Sequence, residues 1–484
     1  MAASGDASTV GETGKFKPTL PTHILPAPEV RDLPEPPRRI ARLIGPGVVG
    51  AGVGLASGEF IIWPHMAAQL GFTFLWGAAL GVTLQWFLNM EVERYTLATG
   101  ETALTGFSRH WRHWGLVFAI MVCVETVWPG WATGSATLFT YVFGGNPTVV
   151  ACGMLLAIGA ILTLAPVVYV ALERLIVLKV VVIGLFFAVA IVFVIDADTW
   201  RALPTAVTHV GHVPTQLGFD VVMMAVAYAG AGGSQNLCQS NWVRDKGFGM
   251  GRYLPRLASP VTGVMQVQQT TGFVFEPTAQ NMARWRRWWR FANLEQAFAF
   301  GAITVISITF TSMLAYSTLF GASGLPETAD FLKTQGERMG DIAGGWFAVL
   351  FWAIGMFSLF AAAVGIIDVA CRLTADVVKT LYLKKSSVQE NKIYFGLVWA
   401  FVILGGMILF LGLDQPLVLL VISACVAGVA MFIYSILLLV MNRRALPKEI
   451  RTGPVRTVVL VFCVGFFGIL SALIGWQQVT SLFS

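Results

Sequence analysis

The chain has 484 residues, of which 56% are hydrophobic and only 12% are charged. Soluble domains carry about 25% charged residues, and here the shortfall extends along the whole chain, which excludes an ordinary soluble protein. The formal net charge of +6 does not indicate nucleic-acid binding, because the basic residues are scattered in short segments between apolar runs.

The first 40 residues are rich in Pro, Ser, Thr and charge, and they contain no apolar run. We predict a disordered cytoplasmic tail over 1–40 and, since no apolar stretch lies near Met1, no cleavable signal peptide. A transmembrane domain is predicted over 41–482. A membrane helix needs roughly 20 apolar residues, and we predict eleven such helices, at 42–68, 73–98, 114–142, 148–166, 172–195, 218–240, 292–320, 344–378, 393–411, 416–441 and 456–479.

The distribution of basic residues predicts the orientation of these helices. With a cytoplasmic N-terminus, all but three of the 32 Lys and Arg residues lie in the tail, in cytoplasmic loops or at cytoplasmic helix ends. We therefore predict an outside C-terminus and an integral protein of the bacterial inner (plasma) membrane. Near the end of the longest cytoplasmic connection, 241–291, the basic, Trp-rich run MARWRRWWRFANLEQ begins. We interpret this run as an interfacial anchor on anionic lipid.

Two of the predicted helices contain a glycine-rich, polar stretch near their middle. The first reads GLASGEF over 54–60, and the sixth reads GAGGSQN over 230–236. Each interior Gly costs a helix about 1 kcal/mol relative to Ala, so we predict unwound backbone at 56–59 and 230–236. An alternative is that these glycines only permit close packing of neighbouring helices.

Broken helices at matching positions of two repeats indicate a transporter substrate site. Here one broken helix is the first of predicted segments one to five, and the other is the first of segments six to ten. Their freed carbonyls and helix ends can bind a cation or an anionic group. The predicted substrate-binding residues are Ala56, Ser57, Gly58, Glu59, Gly232, Gly233, Ser234, Gln235 and Asn236.

Ionisable side chains at membrane depth are the next candidates, because their burial is costly. Glu59 lies in the predicted break itself and is the candidate metal ligand; a structural ion pair or a protonated carboxyl is the alternative. Glu125 and Asp368 are candidates for coupling or proton relay, with structural pairing as the alternative. His65 follows Trp-Pro and is a third relay candidate, although packing or gating explains it better.

Other chemistries have no signal in the sequence. The six cysteines fall in or beside apolar runs and include no CxxC pair, which favours small hydrophobic side chains over disulfides or a zinc site. We find no HExxH motif, no GxSxG in a suitable context and no phosphate-binding loop. We expect no enzyme and no cofactor. The expected partners are the lipid bilayer and a small ion or small polar solute, and no nucleic acid.

The two breaks and their flanks resemble the Nramp (natural resistance-associated macrophage protein) family of proton-coupled divalent-metal transporters, over most of 42–478. GPGVVGAGVGLASGEF is similar to the family's first helix, LGFTFLWGAALGVTLQWFL to its second, GSATLFTYVFG to its third, ALERLIVLKVVVIGLFFAVAIV to its fifth, and MNRRALP to its basic loop. The resemblance implies an all-α LeuT-type inverted repeat with broken helices 1 and 6. The repeats then cover 42–195 and 218–441, and 456–479 is an extra helix.

The site residues depart from the family pattern. The usual Asp-Pro-Gly-Asn of the first helix aligns with residues 56–59, so that Ala56 replaces the ligand Asp and Glu59 the ligand Asn. The usual Met-Pro-His of the sixth helix falls near residues 233–235, which removes the soft thioether that favours transition metals. The acidic proton-carrying positions of the third helix align with Trp128 and Trp131, and Glu125 lies one helical turn from Trp128.

The leading interpretation is an Nramp-related secondary active transporter, or symporter, that moves a cation by alternating access. Hard oxygen donors suit a divalent metal such as Mg²⁺ better than Mn²⁺ or Fe²⁺. The alternative is a transporter of a small organic solute, an amino acid or amine, on the same fold. A transport-inactive sensor is a third interpretation, which a large folded soluble domain would favour; none is present.

Overall fold

The computed structural model describes residues 19–37, 45–56, 58–214, 218–259, 261–263, 271–322, 324–325, 330–412 and 416–481. The described chain is almost entirely helical, as predicted. The helices before the second break are α1 (Pro46–Gly54), α2 (Trp63–Leu70), α3 (Leu75–Thr99), α4 (Ala103–Ser108), α5 (His113–Thr126), α6 (Gly130–Phe143), α7 (Pro147–Leu164), α8 (Val168–Phe193), α9 (Ala197–Ala202), α10 (Thr205–Thr208) and α11 (Phe219–Ala227).

The later helices are α12 (Gln239–Lys246), α13 (Ala279–Glu295), α14 (Ile303–Leu319), α15 (Asp330–Ala343), α16 (Gly345–Val377), α17 (Glu390–Phe410), α18 (Pro416–Arg444) and α19 (Pro454–Ser481). Shorter helical segments adjoin them. Three are π-helical, at Gly58–Ile62, Gln296–Ala302 and Val378–Tyr382, and three are 3₁₀-helical, at Gly233–Cys238, Gly249–Tyr253 and Lys448–Ile450.

The predicted membrane segments coincide with helices. Within the described residues eight helices are long and apolar enough to cross a membrane, and the bent pair at Pro46–Gly54 and Gly58–Leu70 makes a ninth. The remaining two of the eleven predicted segments correspond to α3 and to the region 218–240, which the second break divides. Helix α3 is long enough, but polar side chains such as Gln85 and Asn89 lower its mean hydropathy. Both are buried, so α3 is an interior helix of the bundle.

Both predicted breaks are present, with shifted bounds. Helix α1 ends at Gly54, and the first break comprises Leu55 and Ala56; Ser57, a predicted site residue, lies outside the described residues. The prediction that 58 and 59 are unwound is wrong, because they begin the π-helical turn Gly58–Ile62. The second break, residues 228–232, starts two residues earlier than predicted, and 233–236 form part of a 3₁₀ helix.

Residues 19–37 correct a second prediction, since this part of the predicted disordered tail packs against the bundle. Its strand β1 (Glu29–Val30) pairs in parallel with β2 (Phe273–Val274). Leu20, Leu25 and Leu33 are each at most 4% exposed. The segment is therefore ordered by tertiary contacts that its own composition does not indicate.

The Trp-rich helix α13 forms part of the surface on which this segment lies. The indole of Trp288 donates a hydrogen bond to the carbonyl of Pro34 (2.7 Å), and the guanidinium of Arg284 donates one to Leu33 (3.0 Å). Trp285 and Trp288 are buried. The lipid-anchor interpretation is therefore wrong for these two indoles, which pack inside the protein.

A buried ion pair fastens the same segment. The guanidinium of Arg109 donates two hydrogen bonds to the carboxylate of Glu101, at 2.6 and 2.8 Å, and both side chains are almost fully buried. The guanidinium of Arg109 also donates hydrogen bonds to the carbonyls of Pro21, Leu25 and Pro26. One side chain thus joins the N-terminal segment to the end of α4.

We predict that Arg109→Ala destabilises the protein strongly. The substitution leaves a buried carboxylate without its cation, which costs about 3–5 kcal/mol, and it releases three carbonyls of the N-terminal segment. Thermal unfolding in detergent measures the effect. The control is Arg201→Ala, since the pair of Arg201 and Asp198 is largely exposed and contributes about 0–1 kcal/mol. Equal unfolding temperatures for the two variants would contradict the prediction.

Candidate substrate site between the broken helices

The two breaks lie directly against each other in the centre of the bundle. A Cβ placed on Gly54 would lie 2.5 Å from the carbonyl carbon of Gly230, and one on Gly58 would overlap the carbonyl oxygen of Tyr228. No side chain fits in so little space. The glycines therefore permit close packing as well as unwinding, and the two interpretations of the sequence hold together.

Gln85 of α3 holds the second break. Its amide nitrogen donates to the carbonyls of Ala227 (2.9 Å) and Val226 (3.3 Å), where α11 ends. Its amide oxygen accepts from the main-chain nitrogen of Gly232 (3.0 Å) and from the side chain of Asn236 (3.3 Å). This one buried amide replaces helical hydrogen bonds on both sides of the gap, as backbone inside a membrane requires.

The far side of the second break depends on Glu125 of α5. Its carboxylate accepts hydrogen bonds from the main-chain nitrogen of Ser234 (3.1 Å) and from the Ser234 hydroxyl (2.7 Å). These groups lie at the N-terminal end of a 3₁₀ helix, where free N–H groups attract negative charge. One predicted relay residue is thus in contact with the break, and its observed role there is to bind the helix end.

The other predicted residues of the second break surround these contacts. Gly232 and Gly233 have φ values of +71° and +52°, a region open to glycine. The amide of Asn236 also donates to the hydroxyl of Tyr434 (3.1 Å), and Gln235 is buried. The structure therefore places the predicted polar residues of the sixth segment together in the interior.

Lys179 of α8 reaches the first break. Its ammonium donates hydrogen bonds to the carbonyl oxygens of Gly52 (2.7 Å) and Leu55. The hydroxyl of Ser358 on α16 also donates to Leu55 (3.3 Å). Lys179 and Ser358 are fully buried, so the carbonyls at the end of α1 are satisfied by side chains from two other helices.

Glu59 is a buried carboxylate beside the first break that the surrounding protein leaves without hydrogen-bond donors within the described residues. Its side chain is 1% exposed, and neither carboxylate oxygen has a hydrogen-bond partner within the described residues. Lys179 interacts with it electrostatically, while the hydrogen bonds of that ammonium go to carbonyls. A buried carboxylate without donors is costly, so Glu59 is the group in this site that a ligand would stabilise most.

The remaining relay candidates lie in other surroundings. Asp368 accepts two hydrogen bonds from Arg372 (3.0 and 3.1 Å) and one from the hydroxyl of Tyr394 (2.6 Å), and Arg372 also pairs with Asp245. This buried network favours a structural role. His65 packs edge-on against Phe331, in agreement with the interpretation as a packing residue.

A conventional metal centre is absent from the described chain, which contains no group of three or more His, Cys, Asp or Glu side chains placed to hold a metal. Near the breaks, oxygen atoms come from Glu59, from hydroxyl and amide side chains, and from main-chain carbonyls at the end of α1, which already accept hydrogen bonds but have two lone pairs each. Such a donor set is hard and oxygen-based. Ala56, a predicted site residue, is buried and can contribute only its main chain.

Sequence reasoning missed Lys179, Gln85 and Ser358. Lys179 had a detectable signal, because it is a lone cation within the apolar run LIVLKVVVIGLFF, and charges in membrane helices are functional candidates. Gln85 had a weaker one, as a polar residue in GVTLQWFL. Ser358 had none, since serine is common in membrane helices and only the fold brings it to the break.

A known protein family matches most of the chain. The family model described as "natural resistance-associated macrophage protein-like" covers residues 65–477. The match begins after Glu59, so that the first break lies outside it. No curated protein sequence matches the chain significantly.

Solved structures show the same fold. A mutant of the Eremococcus coleocola manganese transporter aligns with a TM-score of 0.69 at 12% identity, covering 94% of this chain and 91% of that one. The same transporter in complex with an aromatic bis-isothiourea compound gives 0.67 at 11% identity, with 96% and 92% covered. The nucleobase-cation-symport-1 family transporter Mhp1 gives 0.50 at 12% identity, with 92% and 95% covered. The predicted LeuT-type fold is thereby confirmed.

We predict that Gln85→Leu lowers the unfolding temperature in detergent. Leucine keeps most of the volume but leaves main-chain groups of Gly232 and Ala227 unpaired, each at a cost of about 1–3 kcal/mol. Gln69→Leu is the matched control, since Gln69 is exposed and its side-chain hydrogen bond, to His65, is long (3.4 Å) and exposed. A variant as stable as this control would show that the amide does not hold the second break.

Proposed function

Because the chain belongs to the Nramp family, we propose that it is a secondary active transporter that moves a small cation, with Glu59 as the principal ligand. The observation that carries this proposal is the buried carboxylate of Glu59, which has no hydrogen-bond donor in the described structure. It lies next to the first break, whose main-chain oxygens could act as further ligands through their second lone pairs. A cation is the ligand class that satisfies both.

The donor set supports a hard cation such as Mg²⁺. Carboxylate, carbonyl and hydroxyl oxygens suit Mg²⁺, whereas the soft thioether that favours transition metals is missing, since glycine occupies position 233. Mg²⁺ also retains several waters when bound, so a single carboxylate with neutral oxygens is a sufficient inner set. We therefore expect Mn²⁺ to be a poor substrate.

Lys179 favours a second candidate, a small organic solute that carries an amine. The ammonium of Lys179 offsets the negative charge of Glu59, which weakens attraction for a divalent ion but leaves a polar site of low net charge. An amine could meet Glu59, whereas the start of the 3₁₀ helix is already bound by the carboxylate of Glu125. Transport assays with Mg²⁺ and with amino acids or amines distinguish the two candidates.

In the proposed mechanism the two breaks act as the moving part. The helical segments on either side of each break, α1 and α2 in one repeat and α11 and α12 in the other, can tilt separately because no continuous helix joins them. Alternating access follows when one side of the bundle opens while the other stays packed. Glu59 lies at the junction, where it would remain bound to substrate during the change.

We predict that Glu59→Gln abolishes Mg²⁺ uptake into proteoliposomes that contain a Mg²⁺-sensitive dye. The amide keeps the shape of the side chain and removes the charge that the cation requires. Glu337→Gln is the control, because Glu337 is exposed on α15. All proteins are compared at equal folded amounts, and the wild type is expected to take up Mg²⁺ faster than Mn²⁺.

The outcomes separate the candidates. Equal Mg²⁺ uptake by the wild type and Glu59→Gln would refute the assigned role of Glu59. If the wild type transports an amine or amino acid but not Mg²⁺, and Glu59→Gln loses that transport, the second candidate function would replace the first.

We further propose that the N-terminus is cytoplasmic and the C-terminus lies outside. In this orientation only Arg201, Lys333 and Arg338 depart from the rule that Lys and Arg residues lie on the cytoplasmic side. Reporter domains fused to either end of the chain should therefore show opposite sidedness in cells. Reporters found on the same side would refute a topology with an odd number of spans.

A further inference from the structure

The Trp-rich helix α13 borders an open groove that the proposed substrate site does not use. The groove has a volume of about 610 Å³ and lies between α13, the connection 449–453 and the first residues of α19. Six charged side chains line it: the carboxylate of Glu449 and the guanidinium groups of Arg94, Arg286, Arg290, Arg451 and Arg456. The groove therefore carries an excess of positive charge, which attracts anions.

Two of these arginines form a fixed inner wall. Arg94 donates two hydrogen bonds to Glu91 (2.9 and 3.0 Å) and one to the carbonyl of Ile450 (3.0 Å). Arg456 lies 3.5 Å from the same carboxylate. The guanidinium carbons of Arg94 and Arg456 also lie 3.9 and 4.9 Å from the ring centroid of Trp289. One carboxylate thus faces two cations, which leaves positive charge on a wall that is held in place.

The outer wall carries two arginines whose charge is not offset by a partner on the same helix. Arg286 and Arg290 are four residues apart on α13, so they share one face of the helix, and both are exposed. Within the described residues, the only ion pair of α13 joins Arg284 to Glu35. Like charges at this spacing repel each other. An anion held between them removes that repulsion, whereas the one carboxylate that lines the groove, Glu449, can offset only one of five positive charges.

An apolar stripe on α19 continues from the charged groove. Val455, Val458 and Phe462 recur at helical spacing, so they share one face of the helix, and all three are exposed. Val455 also lines the groove, so the stripe begins at the groove itself. A ligand that uses both surfaces has an anionic head and a hydrocarbon tail. A free phosphate ion would leave the stripe unused.

We propose that this groove binds the phosphate-bearing headgroup of an anionic glycerophospholipid, with an acyl chain along Val455, Val458 and Phe462. Guanidinium groups bind phosphate oxygens through paired hydrogen bonds. Basic pockets between membrane helices on the cytoplasmic side recognise such headgroups, and the proposed orientation puts this end of the bundle in the cytoplasm. The Trp-rich run then contacts lipid through Arg286 and Arg290, and not through its two buried indoles.

Lipid titration tests this proposal. The unfolding temperature of the purified protein in detergent is measured against increasing concentrations of short-chain phosphatidylglycerol, short-chain phosphatidylcholine or inorganic phosphate. Phosphatidylglycerol should stabilise the wild type in a saturable manner. Its half-saturating concentration should lie about tenfold or more below that of inorganic phosphate, because each buried CH₂ group of the chain adds affinity. Phosphatidylcholine has no net charge and should not saturate the site in this range.

Neighbouring arginines of α13 supply matched variants. Arg286→Gln removes a charge that lines the groove, so it should raise the half-saturating concentration of phosphatidylglycerol about fivefold, the effect expected of one arginine near an anionic headgroup. Arg290→Gln should have the same effect, and the double variant should exceed about tenfold. Arg287→Gln removes the same charge from an exposed residue of the same helix that lies outside the groove, so it should leave the titration unchanged.

Three results would overturn the proposal. These are a wild type that phosphatidylglycerol does not stabilise in a saturable manner, equal half-saturating concentrations for phosphatidylglycerol and inorganic phosphate, and equal weakening by Arg287→Gln and Arg286→Gln. The second result would identify a site for free phosphate, and the third a diffuse surface charge. If Arg286→Gln does not fold, the comparison of Arg290→Gln with Arg287→Gln decides. The readout needs no substrate, so the result is independent of the role of Glu59 in transport.

Discussion

The centre of this protein depends on one constraint, which is that every main-chain polar group at membrane depth needs a hydrogen-bond partner. Two helices stop and restart there, so their ends release carbonyl and amide groups in a place that water does not readily reach. The chain satisfies these groups with side chains from other helices. Gln85 spans the second break, Glu125 binds the N-terminal end of the 3₁₀ helix, and Lys179 binds the carbonyls at the end of α1.

Charge balance at the first break follows from the same constraint. A carboxylate and an ammonium lie in the interior, yet the hydrogen bonds of the ammonium are directed to carbonyls, and those of the carboxylate are unfilled within the described structure. Lys179 thus stabilises the backbone of the first break, and the proposed role of Glu59 as a ligand rests on its lack of hydrogen-bond donors. A direct ion pair would instead have satisfied both groups and closed the site.

The match to the family covers the second break but not the first. The helices after the first break match the Nramp family model, whereas the break with its Ala-Ser-Gly-Glu sequence lies before the match. Packing of a helical bundle tolerates wide substitution if apolar faces and small residues are kept at close contacts. A binding site tolerates few substitutions, because many of its ligand atoms belong to specific side chains. The fold therefore identifies a transporter family more firmly than it identifies the substrate.

The sequence by itself determined the helical membrane class, the approximate positions of the spans and the existence of both breaks, because hydropathy and glycine content are local properties of the chain. It also singled out Glu59 and Glu125, since a lone carboxylate in an apolar run is visible without a fold. Only the tertiary structure decided the partners. It brought Lys179 and Ser358 to Leu55, paired Asp368 with Arg372, and packed Leu20 and Leu33 of the N-terminal segment against the bundle. Those contacts join residues far apart in the chain, and no local pattern records which distant helix faces meet.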